Sequence, residues 1–164
     1  MRIGVISDTH IPARSRQLPP ELFTLFAGVE LILHAGDVAE EYVLNELAAI
    51  APVEAVAGNM DSRALHNRLG RKRILELAGY RIGLTHGDEG GTDKQKTPQR
   101  VLQSFKEDRV DCIIFGHSHQ PYHETIHGIL LFNPGSPTDR RCEPRHSCGL
   151  LKLGETITAE LLYL

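Results

Sequence analysis

The side chains able to do chemistry in this sequence recur directly behind apolar runs. Asp8 and His10 follow residues 3–7, Gly36-Asp37 follow residues 31–33, and Gly58-Asn59 follow residues 53–57. His86 follows residues 82–84, and Gly116-His117-Ser118-His119 follow residues 112–115. Together they offer two carboxylates, one amide oxygen and four imidazoles, in a chain with nine histidines, two methionines and no tryptophan. On extended backbone, residues i and i+2 point to the same side, about 6–7 Å apart at Cα. Asp8/His10 and His117/His119 are therefore each expected to direct two donors into one pocket. Seven donors of these types exceed what one ion needs. They suit two ions sharing a bridging carboxylate, an arrangement that holds its ions about 3.5–4 Å apart and clamps the attacking and leaving oxygens of a phosphoryl transfer. The glycines ahead of Asp37, Asn59 and His117 let the backbone turn tightly or approach an ion closely.

The elements that must position these residues follow from the apolar pattern. Strands are expected at residues 3–7, 30–35, 53–57 and 111–115, and a hairpin at 73–77 and 80–85 turning on Ala78-Gly79. Helices are expected over 21–26, opened by Pro19-Pro20 and closed by Gly28, over 41–50, and over 98–107. Short strands at 122–127, 129–132, 148–153 and 156–162 form a β-rich tail. The early strands, joined by helical crossovers, should be parallel. The whole predicts an α/β fold of two packed sheets with helices outside, as one domain over residues 1–164. In open parallel α/β sheets, ligands gather beyond the carboxyl ends of the strands, which is where the seven donors lie.

Composition narrows the class. Hydrophobic residues make up 41% and charged residues 24%, enough apolar material for a core and too much for disorder. A net charge of −3 argues against a nucleic-acid binder that works by bulk charge. Nucleic acid enters only as a possible substrate. No run approaches the ~18 apolar residues of a membrane span, and the N-terminus lacks a secretory cleavage pattern. Cys112, Cys142 and Cys148 make no disulfide framework and no zinc knuckle. A cytoplasmic protein is expected.

The set Asp8-Thr9-His10, Gly36-Asp37, Gly58-Asn59, His86 and Gly116-His117-Ser118-His119 resembles the calcineurin-like metallophosphoesterases. Within them it is most similar to the short prokaryotic phosphodiesterase branch, which shares its fold with a retromer subunit. The resemblance runs from Ile3 to the final strands and implies a four-layer αββα sandwich. It implies that Asp8, His10, Asp37 and His119 hold one metal and that Asp37, Asn59, His86 and His117 hold the other. Asp37 bridges the two, and Asp37, Asn59 and His119 count as catalytic as well. The implied reaction is hydrolysis of a small phosphate ester, most simply a diester, by in-line attack of a hydroxide held between two divalent ions. Mn²⁺ is the first choice by resemblance. Fe, Zn²⁺, Co²⁺ and Ni²⁺ suit the same nitrogen and oxygen donors. The alternative is a protein-binding scaffold of the same fold with little turnover. An oligomer is compatible with the sequence, which does not specify one. Three positions depart from the wider family pattern: Met60 follows Asn59 where a histidine often stands, Asp88 replaces a second histidine after His86, and Ile11 replaces a glycine after His10.

Other residues read more plainly. His34 is expected to be a buried, hydrogen-bonded core histidine, with a supporting role behind a ligand as the sharper reading. His66, His123, His127 and His146 read as surface or packing residues. Arg63, Arg68, Arg71, Lys72 and Arg73 read as a solvated face, or else as a positive edge drawing in an anion. Residues 88–97 read as a loop that follows His86, with covering the site as the sharper reading. Asn133-Pro134-Gly135-Ser136 reads as a turn, and Arg140 and Arg141 as a solvated pair, with contact to a phosphate as the sharper reading.

Overall fold

A strand that is apolar at every position must be covered on both faces, because consecutive side chains point opposite ways. The computed structural model, which describes residues 1–89 and 96–164, shows how this chain does it. Its elements are β1 (Arg2–Ile6), α1 (Glu21–Leu25), β2 (Leu31–His34), α2 (Glu41–Ala48), β3 (Val53–Ala55), α3 (Arg63–Leu69) and β4 (Lys72–Leu77). They continue with β5 (Tyr80–Thr85), α4 (Thr97–Ser104), β6 (Cys112–Ile114), β7 (Tyr122–Ile126), β8 (Ile129–Asn133), β9 (Ser147–Leu153) and β10 (Ile157–Tyr163). One five-stranded sheet has the order β10-β9-β1-β2-β3 and the other β4-β5-β6-β8-β7. In the first, β1, β2 and β3 are parallel while β9 and β10 run antiparallel. In the second, β5, β6 and β8 are parallel, with β4 and β7 antiparallel at the edges.

Alternation along the strands sorts the core into three layers of contact. Ile3, Val5, Leu31, Leu33 and Leu151 of the first sheet meet Ile82, Leu84, Cys112, Ile114 and Phe132 of the second. The opposite faces carry the helices. Ile6, Ile32 and Leu150 pack on Leu22, Leu44, Leu47 and Leu65 of α1, α2 and α3. Ile113 and Leu131 pack on Val101 of α4 and on Phe105. The order is helices, sheet, sheet, helix, the four-layer αββα sandwich of two mixed sheets. No helix among the described residues is long and apolar enough to cross a membrane.

Helix α3 was not expected. Its signals are short: Ser62 accepts a hydrogen bond from the Leu65 amide at 3.3 Å as an N-cap, and Gly70 closes the helix with φ +69°. Between them only Leu65 is buried, so seven residues show no apolar stripe. The basic run that contains it is matched by acids. Arg68 pairs with Glu41, Arg71 with Asp88 and Glu89, Lys72 with Asp108 at 2.5 Å, and Arg73 with Glu54 at 2.6 Å. The stretch 88–97 falls largely outside the described residues.

Candidate metal centre

All five strand ends that carry the expected donors open on one rim of the sandwich. β1, β2 and β3 bring Asp8, His10, Asp37 and Asn59 from one sheet, and β5 and β6 bring His86, His117 and His119 from the other. Backbone hydrogen bonds zip the loops together: Asp8 N–H to the Gly36 carbonyl (3.0 Å), His10 N–H to Asp37 (3.1 Å), and Gly116 N–H to His86 (3.0 Å). The i, i+2 pairs do not work as extended backbone. Asp8, His10, Asp37, His117 and His119 all have positive φ, between 46° and 68°. Each strand has ended, and the chain turns through the left-handed region, a conformation that clusters at functional sites. His117 and His119 part company instead of filling one pocket, whereas Asp8 and His10 stay together.

His119 belongs to the first half of the site. Its Nε2 lies 3.4 Å from Asp8 Oδ1 and 3.3 Å from His10 Nε2, and His10 Nε2 is 3.9 Å from Asp8 Oδ1. His117 belongs to the second half. Asn59 Oδ1 is 3.2 Å from both His117 Nδ1 and His86 Nε2. Asp37 lies between the halves, its Oδ2 3.5 Å from His10 Nε2 and 3.2 Å from His86 Nε2. Asp8 also reaches both groups, since Asp8, His10 and His119 and again Asp8, Asp37 and His86 have donor atoms mutually within 4.8 Å. Asp37 is the better centred of the two, because Asp8 Oδ1 stands 3.9 and 4.0 Å from the same two ring nitrogens.

The surroundings fix which atoms face inward. Asp8 Oδ2 accepts from the Ser7 hydroxyl (2.6 Å) and the His117 amide (3.1 Å), and Asp37 Oδ1 accepts from the Met60 amide (2.8 Å). His86 Nδ1–H donates to the Ala35 carbonyl (2.8 Å) and His119 Nδ1–H to the Asp139 carbonyl (2.5 Å), so both rings turn Nε2, the atom that would face a cation, toward the centre. Asp8 Oδ1 is buried and has no hydrogen-bond donor. A buried carboxylate oxygen ringed by imidazole nitrogens suits a cation, and the donor set, without thiolate, fits hard or borderline divalent ions. Glycine is required beside it. A Cβ on Gly116 would overlap Ser7 Oγ and come within 2.6 Å of Asp8 Oδ2, and one on Gly58 would meet Asp37.

The ionisation of these groups follows their packing. Burial pushes Asp37 up, but the His86 hydrogen bond and charge and the Met60 amide outweigh it and hold the carboxyl down at about 2. Burial pushes His86 down, yet Asp37 and Asp8 lift it to about 9. His10 is lowered, burial outweighing Asp37 and Asp8, and His117 is lowered by burial and by His86. Asp61 is buried and raised, and its two oxygens accept from the Ala39 (2.7 Å) and Gly58 (2.8 Å) amides, which fixes the Asn59 loop. Met60 projects its side chain outward, 64% exposed.

His34 is the buried core histidine expected. The Gly36 amide donates to its Nδ1 (3.2 Å), Nε2 lies 3.1 Å from the Thr9 hydroxyl, and burial lowers its pKa to about 3. It ties the Asp8 and Asp37 loops through the Thr9 hydroxyl and the Gly36 amide. The turn at Asn133 is more than a turn. Asn133 Nδ2 donates to the Gly116 carbonyl (2.8 Å), Ser136 Oγ to the Asp8 carbonyl (2.8 Å), and Thr138 Oγ1 to the Thr9 carbonyl (2.6 Å). These supports were missed, although Asn133 ends an apolar run as the other donors do. Among the remaining histidines, His123 packs edge-on against Phe132.

Fold and site together define a phosphoester-hydrolase architecture, and comparison with known proteins agrees. The calcineurin-like phosphoesterase superfamily domain matches residues 1–156, and the chain belongs to that family. A probable metallophosphoesterase of Methanothermobacter thermautotrophicus is 42% identical over 165 residues, 99% of this chain and 92% of that protein. A phosphodiesterase of Methanocaldococcus jannaschii is 28% identical over 148 residues, 82% of this chain and 83% of its own length. Vps29 of Chaetomium thermophilum superposes with a TM-score of 0.82 at 22% identity, over 99% of this chain and 97% of that one.

Proposed function

We propose that residues 1–164 act as one domain that hydrolyses phosphodiesters with two divalent cations. Asp8, His10, Asp37 and His119 would hold one ion and Asp37, Asn59, His86 and His117 the other. The observation that carries this reading is Asp37 Oδ2 lying between His10 and His86, beside the donorless Asp8 Oδ1. The relative named as a phosphodiesterase supports the diester as substrate. Two bound cations would neutralise charge on the phosphoryl oxygens and lower the pKa of a bound water toward neutrality. The chain's own part is orientation. The Ala35 and Asp139 carbonyls select the tautomers of His86 and His119, and the Met60 amide and Ser7 hydroxyl point the carboxylates. Among the described residues, neither Asp61 nor Asp88 is free to serve as a proton donor near Met60. Asp61 is committed to two amides, and Asp88 is paired with Arg71. Mn²⁺ is the ion of choice, with Fe, Zn²⁺, Co²⁺ and Ni²⁺ compatible with the donors. The free thiols Cys112, Cys142 and Cys148 support a cytoplasmic setting.

The test is metal content per chain, read alongside turnover of nitrophenyl phosphate mono- and diesters. Two ions per chain and chelator-sensitive diester hydrolysis are expected. Asp37→Ala should lower occupancy at both sites and abolish turnover, while His66→Ala leaves both unchanged. A single ion per chain, or near-wild-type turnover in metal-replete Asp37→Ala, overturns the dinuclear reading.

A further inference from the structure

Behind the His119 ring, two arginines from different loops meet on one carboxylate. Arg14 comes from the loop after β1, where its amide donates to the His10 carbonyl at 2.9 Å. Arg141 comes from the loop after β8, which Ser136 and Thr138 pin to the Asp8 and Thr9 carbonyls. Arg14 Nε stands 3.3 Å and Arg141 Nε 3.8 Å from Asp139 Oδ2. Asp139 also accepts the His119 Nδ1–H on its carbonyl, so the arginine pair is fixed to the ligand itself. The Asp139 side chain is only 14% exposed, whereas the Arg14 and Arg141 side chains are 62% and 55% exposed.

The charge does not balance there. Arg68, Arg71, Lys72 and Arg73 each have a carboxylate partner, but Arg14 and Arg141 share one, and neither has a second acid among the described residues. One net positive charge is left over behind the His119 ring. Each guanidinium engages Asp139 through Nε and keeps exposed N–H donors of the geometry that binds phosphate oxygens in pairs. The tether to Asp139 limits the side-chain freedom that an anion would otherwise have to freeze out.

We propose that Arg14 and Arg141, held by Asp139, form a subsite for a second phosphate on the substrate, beside the one hydrolysed. The substrate class is then a phosphodiester that carries a further phosphate one sugar away, as in a nucleotide chain. This rests on the hydrolase reading above and adds its specificity.

The test compares binding of thymidine 3′,5′-bisphosphate and thymidine 5′-monophosphate to Mn²⁺-loaded protein by calorimetry. The wild type should prefer the bisphosphate at least tenfold. Arg14→Gln and Arg141→Gln should each shrink that preference several-fold, the double variant should erase it, and Arg63→Gln should keep it. Raising ionic strength should narrow it in the wild type, which tests the idea even if a variant folds poorly. A merely structural arginine pair would weaken both nucleotides together. Equal affinity for the two nucleotides in the wild type, or an undiminished preference in the double variant, overturns the proposal. The nitrophenyl ester of thymidine 5′-phosphate, with and without a 3′-phosphate, should show the same ratio in KM. If neither ester is turned over, the hydrolase reading fails, and the binding comparison still decides the arginine pair.

Discussion

His86 shows what two carboxylates do to a buried imidazole before a cation arrives. Burial opposes its charge, but Asp37 at 3.2 Å and Asp8 at 4.0 Å prevail, and its pKa rises to about 9. Nε2 is then protonated at neutral pH, although it is the atom that must offer a lone pair to a metal. Metal loading at pH 7.5 should therefore release about one proton per chain more in the wild type than in His86→Gln, measurable in weakly buffered solution with an indicator dye. Apparent affinity should climb with pH until about 9 and then level off. The sign for stability is opposite. A histidine whose folded pKa exceeds its unfolded value of about 6.5 stabilises the metal-free fold below that pH and loses its effect as pH rises through about 9. Equal proton release from the two proteins at pH 7.5 would mean that the carboxylates do not hold the proton where the geometry puts it.

Elements place these side chains by ending at the right residue, and the tightest ending is the turn after β6. Gly116 packs against Ser7 and Asp8 so closely that a methyl group has nowhere to go. Gly116→Ala should cost about 1–3 kcal/mol through overpacking and weaken metal binding by displacing Asp8. Gly154→Ala, with open space around its Cβ position, should be close to neutral. Thermal melts and metal titrations of the two variants separate them. The strand ends were legible because β1, β2, β5 and β6 are apolar enough to stand out and because aspartate, asparagine and histidine rarely follow so many such runs by accident. The turn geometry was not legible. Nothing local distinguishes an extended Asp8-Thr9-His10 from the left-handed residues found, since that conformation is imposed by the Gly36 and Asp37 carbonyls and by Ser136, 128 positions away from Asp8. Helix α3 was hidden for a related reason: its only buried side chain, Leu65, gives no period.

Across the whole molecule, the candidate centre joins two sheets whose facing sides are packed with apolar side chains. Asp8, His10, Asp37 and Asn59 belong to one and His86, His117 and His119 to the other, so a cation held by all of them would bind only when both sheets are assembled. A ligand that binds the folded state alone at a hundred times its Kd stabilises by about 2.7 kcal/mol, and each kcal/mol moves Tm by about 2–4 °C in a chain of this size. Saturating divalent cation should thus raise Tm by about 5–10 °C per site, and a chelator should remove the gain. Acid should remove it too, because imidazoles must be neutral to bind, so the metal-dependent shift should shrink as pH falls below about 6.5. A second acid effect acts on the metal-free fold. His34 has its pKa lowered to about 3, so below about 6.5 the unfolded chain takes up a proton that the native state refuses. Its contribution is present above that pH and is lost progressively toward pH 3, with a slope of up to about 1.4 kcal/mol per pH unit. Denaturant melts from pH 7 to pH 4, with and without Mn²⁺, resolve the two. The difference between the curves reports the bridged sheets, and the metal-free slope, flattened in His34→Gln, reports the buried histidine. A Tm that ignores both cation and chelator at pH 7.5 would mean that the two sheets are not joined through these seven side chains.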